Sequence, residues 1–156
     1  MEDKHSMSLM LVIFKKNVRE SFKKLMDKHK FIQVEKELYT DEENYLSRSN
    51  YINDYFNFYK LFNQMICLCF KSTENNYSLF LICYREVIVK LQTEFPQYNL
   101  SYLLPFYLDY ILRNEITGGN SLNAVEEITD SLISIFPTLP DKDTFIDIHK
   151  NLVHLI

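Results

Sequence analysis

The sequence contains very little glycine and proline: two glycines and four prolines occur in 156 residues. A β-sandwich or β-barrel needs many tight turns with glycine at positive φ, and a nucleotide-binding loop needs a glycine-rich cradle for phosphate. The two glycines are adjacent, Gly118 and Gly119, and supply neither feature. Their scarcity argues against most β folds and predicts a helical protein with few sharp turns.

Alanine and tryptophan are also scarce, since Ala124 is the one alanine and there is no tryptophan. Alanine is the strongest helix former, so intrinsic propensity contributes little to helix stability in this chain. Phenylalanine and tyrosine are abundant instead, with 12 and 11 copies. The helices are therefore expected to be stabilised by packed aromatic and aliphatic faces.

Apolar residues recur at steps of three and four, which predicts six helices. They are expected at about residues 7–30, 40–70, 77–95, 99–116, 121–136 and 141–156, with a break near residues 47–50. Thr40 and Asn99 are the expected caps of the second and fourth helices. Pro105 predicts either a kink in the fourth helix or a start near Leu104. No linker divides the chain, so we predict a single all-α domain over residues 1–156: a compact bundle of six to seven helices around a central apolar helix, the third.

Charge is unevenly distributed along the chain. Residues 1–30 carry eight basic and four acidic side chains, whereas the whole chain has a net charge of −4. Lys15, Arg19 and Lys23 fall off the apolar stripe of the first helix and form a predicted basic surface. This surface is either a solvated helix face or a binding face for an acidic partner, anionic lipid or nucleic acid. The acidic remainder disfavours nucleic acid.

No catalytic, cofactor-binding or metal-binding motif is present. Cys67, Cys69 and Cys83 lie in apolar stretches, and we expect reduced cysteines in the core. Neither their spacing nor that of His149 and His154 matches a metal site. No apolar run is long enough to span a membrane, and no secretory signal is recognisable. We predict a non-enzymatic protein without metal or cofactor, located in the cytoplasm or the nucleus.

Two features predict a protein-binding site. Arg85 lies in the most apolar helix, where a charge is costly unless it is paired; it either forms an ion pair or serves as a cationic anchor for an acidic residue of a partner. The aromatic residues between 51 and 62 cover nearly every direction around their helix, so some rings must be exposed or bound. The predicted partner-binding residues are Arg85, Tyr55, Phe58, Tyr59 and Phe62.

Two short segments resemble the poxvirus Bcl-2-like proteins. They are Ser78-Leu79-Phe80 with Ile82-Cys83, entering the central helix, and Asn120-Ser121-Leu122-Asn123-Ala124, entering a later one. The abundance of residues with A/T-rich codons fits a viral source, although the family signature Asn-Trp-Gly-Arg is absent. The resemblance implies an inhibitor of host apoptosis or innate signalling that binds an amphipathic helix in an apolar groove.

The leading hypothesis is thus a non-catalytic interaction module that binds a protein partner, such as an amphipathic helix, or forms a homo-oligomer. The first alternative is a helical-repeat scaffold or a subunit fragment of a larger assembly, suggested by the apolar C-terminal residues. The second alternative is binding of anionic lipid or nucleic acid through the basic first helix.

Overall fold

The computed structural model describes the backbone of residues 4–30, 42–70, 74–118 and 122–154, and the side chains of residues 6–30, 47–70, 75–111 and 126–152. Six α-helices lie in these ranges: α1 (Lys4–Lys28), α2 (Glu42–Phe70), α3 (Glu74–Glu94), α4 (Leu100–Gly118), α5 (Leu122–Ile135) and α6 (Lys142–His154). Two 3₁₀ helices, Pro96–Tyr98 and Phe136–Thr138, follow α3 and α5. The described residues contain no strand, which confirms the predicted all-α class.

Helix α3 occupies the centre of the molecule. It packs against α1, α2 and both 3₁₀ helices, while α4 packs against α2 and α6. Its side chains Tyr84 and Ile88 are fully buried, whereas Leu79, Ile82 and Lys90 on its outer face are exposed. A helix with apolar residues on nearly every side packs against several elements, and the part that they leave uncovered exposes apolar side chains.

Helix α1 has the predicted single apolar stripe. Val18, Phe22 and Met26 are spaced four residues apart and are buried. Side chains four residues apart lie on the same face of a helix, so one face of α1 packs against α3 while the opposite face carries its basic residues. The fold of this segment follows directly from its periodicity.

Helix α2 is continuous from Glu42 to Phe70, so the expected break near residues 47–50 is wrong. Tyr51 and Ile52 directly follow that segment and are fully buried, and their packing holds the helix together there. The expected cap Thr40 lies outside the described residues.

The start of α4 confirms one predicted cap and excludes one of the two predictions made from Pro105. The Oδ1 atom of Asn99 accepts a hydrogen bond from the backbone N–H of Ser101 at 2.9 Å, as an N-cap residue does. Helix α4 begins at Leu100 and Pro105 lies inside it, so the alternative start near Leu104 is wrong. Pro105 is buried, and its missing N–H removes one backbone hydrogen bond from the helix.

Candidate functional site

Aromatic contacts define how α1, α2 and α3 lie beside one another. The ring of Phe80 is 4.9 Å from that of Phe14 and 4.2 Å from that of Phe70. Further along, the ring of His29, directly after α1, is 5.6 Å from that of Tyr51 in α2, and the ring of Tyr84 in α3 is 5.1 Å from that of Phe62 in α2. Helix α2 therefore runs antiparallel to α1 and α3. The first half of α1, the second half of α2 and the first half of α3 meet at one end, which contains Phe80.

This end, which we name the apolar end, carries most of the exposed apolar side chains. Fourteen large apolar side chains are exposed in the described part of the chain, and nine of them lie here. They are Leu9, Met10, Val12, Ile13, Leu61, Met65, Leu68, Leu79 and Ile82. Leu68 is 78% exposed and Leu61 is 64% exposed. A concentration of exposed apolar side chains on one region marks an interaction site more often than scattered ones do.

The apolar end was not predicted from the sequence, although a signal for it was present. Leu61, Met65 and Leu68 are spaced by four and three residues and form an apolar stripe on α2. A second stripe on the opposite face of α2 contains Tyr55, Tyr59 and Ile66, which are buried. Periodicity detects both stripes, but it does not reveal which one faces the core.

The predicted aromatic site lies in the interior. Tyr55 is 0% exposed and Tyr59 is 2% exposed, so neither side chain is available to a partner on the folded surface. Phe58 and Phe62 are partly buried against the core, and the ring of Phe62 stacks on that of Tyr84 at 5.1 Å. These rings pack α2 against both α3 and α1. Two neighbouring helices therefore bury a wider arc of α2 than one helix could.

Arg85 belongs to α3, and its half-buried side chain reaches toward α2. Its Nη2 atom donates to the hydroxyl oxygen of Tyr59 at 3.4 Å, and its buried Nε atom has no hydrogen-bond partner in the part of the chain that the structure describes. No carboxylate of the described residues lies within salt-bridge distance of Arg85. The ion-pair interpretation therefore has no partner among those residues, and the cationic-anchor interpretation stays a prediction.

The predicted basic surface is exposed on α1. Lys15, Arg19 and Lys23 are all exposed, and Lys16 and Lys24 extend the same surface. None of the five forms a salt bridge with a described residue. Lys15 and Lys16 directly follow the exposed residues of the apolar end, so an apolar region and a cationic region adjoin along α1.

The opposite end of the three helices, which we name the tyrosine end, is held by polar contacts. The hydroxyl of Tyr51 donates to the backbone carbonyl of Tyr98 at 2.8 Å, and the hydroxyl of Tyr98 donates to the backbone carbonyl of His29 at 3.2 Å. The Nε2 atom of His29 is 2.7 Å from an Asp54 carboxylate oxygen, and the Nζ atom of Lys28 is 3.1 Å from the same oxygen. These contacts connect the end of α1 to α2 and to the first 3₁₀ helix.

A buried amide connects three further elements near the tyrosine end. The Gln92 side chain is fully buried, accepts from the backbone N–H of Leu100 at 3.0 Å and donates to the carbonyl of Thr138 at 2.8 Å. The hydroxyl of Thr138 donates to the Ile135 carbonyl at 2.6 Å and lies 2.5 Å from the hydroxyl of Tyr55. Because the hydrogen of Thr138 is already used, the Tyr55 hydroxyl is the donor and the Thr138 hydroxyl oxygen the acceptor. Gln92 thus joins α3 to the start of α4 and to the second 3₁₀ helix.

The buried phenols are held in their neutral form. Burial is the main cause that raises the pKa of Tyr51, Tyr55 and Tyr84 above the ordinary value, because a phenolate loses its solvation inside the protein. The hydroxyls of Tyr51 and Tyr55 have hydrogen-bond partners, whereas the buried hydroxyl of Tyr84 has none among the described residues. The three tyrosines therefore differ in how well the core accommodates their polar atom.

A small cavity lies between α4, α5 and α6. Its volume is about 210 Å³, and its lining is mostly apolar. The lining residues are Leu108, Ile111, Ile128, Thr129, Leu132, Phe145 and His149. The ring of His149 stacks on that of Phe145 at 6.1 Å, and its Nδ1 atom is buried without a hydrogen-bond partner.

No group of three or more His, Cys, Asp or Glu side chains in the described ranges could hold a metal ion. All three cysteines are free thiols, and Cys83 is buried as expected. Cys67 and Cys69 are exposed, so the expectation that they lie in the core is wrong. They lie on the outer side of α2, where the neighbouring apolar residues are exposed as well.

None of the helices in the part of the chain that the structure describes is both long and apolar enough to span a membrane. This agrees with the composition, in which apolar runs are short.

A protein-family model matches this chain. The model of the cullin family described as the cullin alpha solenoid domain matches residues 1–154, which is nearly the whole chain. No curated protein and no solved structure matches the chain.

The expected kinship with poxvirus Bcl-2-like proteins is contradicted by this match, which points to a cullin-like helical domain. The two segments that suggested the resemblance cover about ten residues, and short apolar helix starts of this kind recur in many helical proteins. A match of this length therefore indicates the start of a helix and does not indicate common ancestry.

Proposed function

We propose that this chain, which belongs to the cullin family as an α-solenoid domain, is a non-catalytic scaffold that holds a protein partner at its apolar end. Cullin domains mediate protein–protein interactions, and an α-solenoid is a helical scaffold for such interactions. Solenoid units contact only their neighbours along the stack and leave extended surfaces for partners. This agrees with the first alternative from the sequence, a helical-repeat scaffold or a subunit of a larger assembly.

The observation that carries the proposal is the concentration of exposed apolar side chains at the apolar end. Nine of fourteen lie there, and they come from three different helices. Because the Phe80 ring contacts the rings of Phe14 and Phe70, the three helices that display these side chains are fixed relative to one another. A partner therefore meets a preformed surface and pays little to order it.

The exposed apolar side chains can supply part of the free energy of a complex. Fully burying a completely exposed leucine or isoleucine contributes roughly 1.5–3 kcal/mol. Leu61, Leu68 and Ile82 are 64%, 78% and 51% exposed, so together with one side chain of α1 they contribute roughly 4–8 kcal/mol. Association costs about 4 kcal/mol or more in lost freedom of motion, so a specific complex needs further contacts from the partner.

We further propose that the chain acts in a reducing compartment, the cytoplasm or the nucleus. Cys67 and Cys69 are exposed free thiols. Exposed free thiols persist where glutathione and thioredoxin keep them reduced.

The test is partner capture with a matched pair of variants. The purified chain is immobilised, incubated with lysate from its source cells, and the bound proteins are quantified by mass spectrometry. The triple variant Leu61→Ser/Leu68→Ser/Ile82→Ser should lose the partner. A control variant, Phe95→Ser/Ile146→Ser, removes exposed apolar side chains outside the apolar end and should retain it.

Circular dichroism of both variants checks that each stays folded, because every substituted side chain is exposed. A partner that binds the folded triple variant as tightly as the wild type would rule out the apolar end as the binding surface.

A further inference from the structure

We propose that copies of this chain associate head to tail, with the basic surface of α1 of one copy on the acidic surface of α5 of the next. This inference goes beyond the proposed function, because the α2 and α3 side chains that the partner-capture test removes lie outside both surfaces.

The basic surface of α1 lacks compensating charge. Five exposed cations occur between residues 15 and 24, and Glu20 is the one acidic residue in that interval. The cations form no salt bridge with any described residue. Like charges at this density repel one another, and an acidic surface placed over them relieves that repulsion.

The outer surface of α5 has the opposite character. Glu126, Glu127 and Asp130 are exposed and form no salt bridge with a described residue, and Leu122–Ile135 contains no lysine or arginine. Ile133, one turn further along, is 66% exposed. This helix therefore presents three carboxylates followed by one isoleucine, a small acidic and apolar surface.

The two surfaces match in the order and spacing of their residues. On α1, Ile13, Lys16 and Arg19 follow one another at steps of three residues, and Ile13 is 51% exposed. On α5, Glu127, Asp130 and Ile133 also follow at steps of three, in the reverse order of chemistry. Each step corresponds to about 4.5 Å along a helix, so two antiparallel helices bring equivalent positions together. The resulting pairs are Ile13 with Ile133, Lys16 with Asp130, and Arg19 with Glu127.

A second copy is the occupant that this complementarity selects. Each chain carries one basic and one acidic surface, and both face solvent, because α1 packs through its buried stripe onto α3 and α5 packs onto α2 and the second 3₁₀ helix. A contact between two unlike surfaces is heterologous, so it propagates into chains of copies unless the rotation closes a ring. Stacking of this kind extends the nearest-neighbour packing of a solenoid from one chain to the next.

The test is sedimentation velocity of the purified full chain with charge-reversal variants. The wild type should form concentration-dependent oligomers in about 0.05 M NaCl and become monomeric in about 0.5 M, because salt screens exposed charges. K16E/R19E carries two acidic surfaces and E127K/D130K carries two basic ones. Each variant alone should be monomeric, with the apparent Kd raised at least tenfold.

Mixing the two variants in equal amounts should restore association, because each contact then joins one acidic and one basic surface. K60E/K90E makes the same change in net charge as K16E/R19E, but at exposed lysines of α2 and α3, and it should associate like the wild type.

A wild type that stays monomeric in about 0.05 M NaCl overturns the proposal, and so does an unchanged apparent Kd in both reversal variants. Restored association on mixing supports it in a way that misfolding cannot mimic. Since partner capture depends on the α2 and α3 side chains, either proposal can fail while the other stands.

Discussion

The two ends of the unit formed by α1, α2 and α3 both have aromatic residues inside, but they differ in how their polar and apolar side chains are used at the surface. At the tyrosine end, hydrogen bonds of Tyr51, Tyr98 and Gln92 satisfy buried polar groups and connect six helical elements. At the apolar end, aromatic rings pack inside while leucines and isoleucines of the same helices face solvent. The tyrosine end is thus held together by its own polar side chains, whereas the apolar end leaves apolar side chains exposed.

The largest expected effect is the loss of the amide that connects α3, α4 and the second 3₁₀ helix. Gln92→Ala leaves the Leu100 N–H and the Thr138 carbonyl buried without their partner. Such orphaned groups cost about 1–3 kcal/mol each, so we expect a loss of about 2–6 kcal/mol in the free energy of unfolding, measured by urea denaturation.

Thr93→Ala is the matched control. Thr93 is the next residue, is exposed, and bonds only a carbonyl of its own helix. It should change the free energy of unfolding by less than about 0.5 kcal/mol. Equal losses in the two variants would show that Gln92 does not connect the elements.

The next effect compares two buried tyrosines. Tyr51→Phe removes a hydroxyl that donates to the Tyr98 carbonyl and should cost about 1–2 kcal/mol. Tyr84→Phe removes a buried hydroxyl without a partner and should be neutral or stabilising. Chemical denaturation of both variants checks the difference, and a loss on Tyr84→Phe as large as on Tyr51→Phe would contradict it.

A smaller effect is expected from Asp54 as the pH changes. Burial raises the pKa of Asp54, but hydrogen bonds from His29 and Lys28 and their charges outweigh burial and hold this pKa below its ordinary value of 3.8. The folded state thus favours the carboxylate. The resulting stability is fully present above the unfolded pKa and is lost as the pH falls through the folded pKa.

Asp54→Asn should therefore destabilise the chain by about 0.5 kcal/mol near neutral pH, since the pair is partly exposed. The difference from the wild type should disappear in strong acid, where both side chains are uncharged. Urea midpoints measured across the acidic range check this, and a difference that persists at the lowest pH would exclude the ionic contribution.

The sequence predicts those features that depend on neighbouring residues. The buried stripe of α1 and the Asn99 cap follow from spacing and local chemistry within one or two turns. The Gln92 contacts do not, because Thr138 is 46 residues away and a single glutamine in an apolar helix has no pattern. The apolar end was missed for a related reason: α2 has two apolar stripes, and only the positions of α1 and α3 decide which of them is covered.

The smallest expected effect is at the apolar end and tests the comparison most directly. Leu68 is 78% exposed, so Leu68→Ser should change the free energy of unfolding by less than about 0.5 kcal/mol. Ile66 lies two residues earlier on the opposite face of α2 and is 1% exposed; Ile66→Ala should cost about 2–5 kcal/mol. Thermal and urea unfolding of the two variants give both values. A loss above about 2 kcal/mol on Leu68→Ser would mean that the chain buries this side chain itself, and the surface would then belong to the core rather than to a partner.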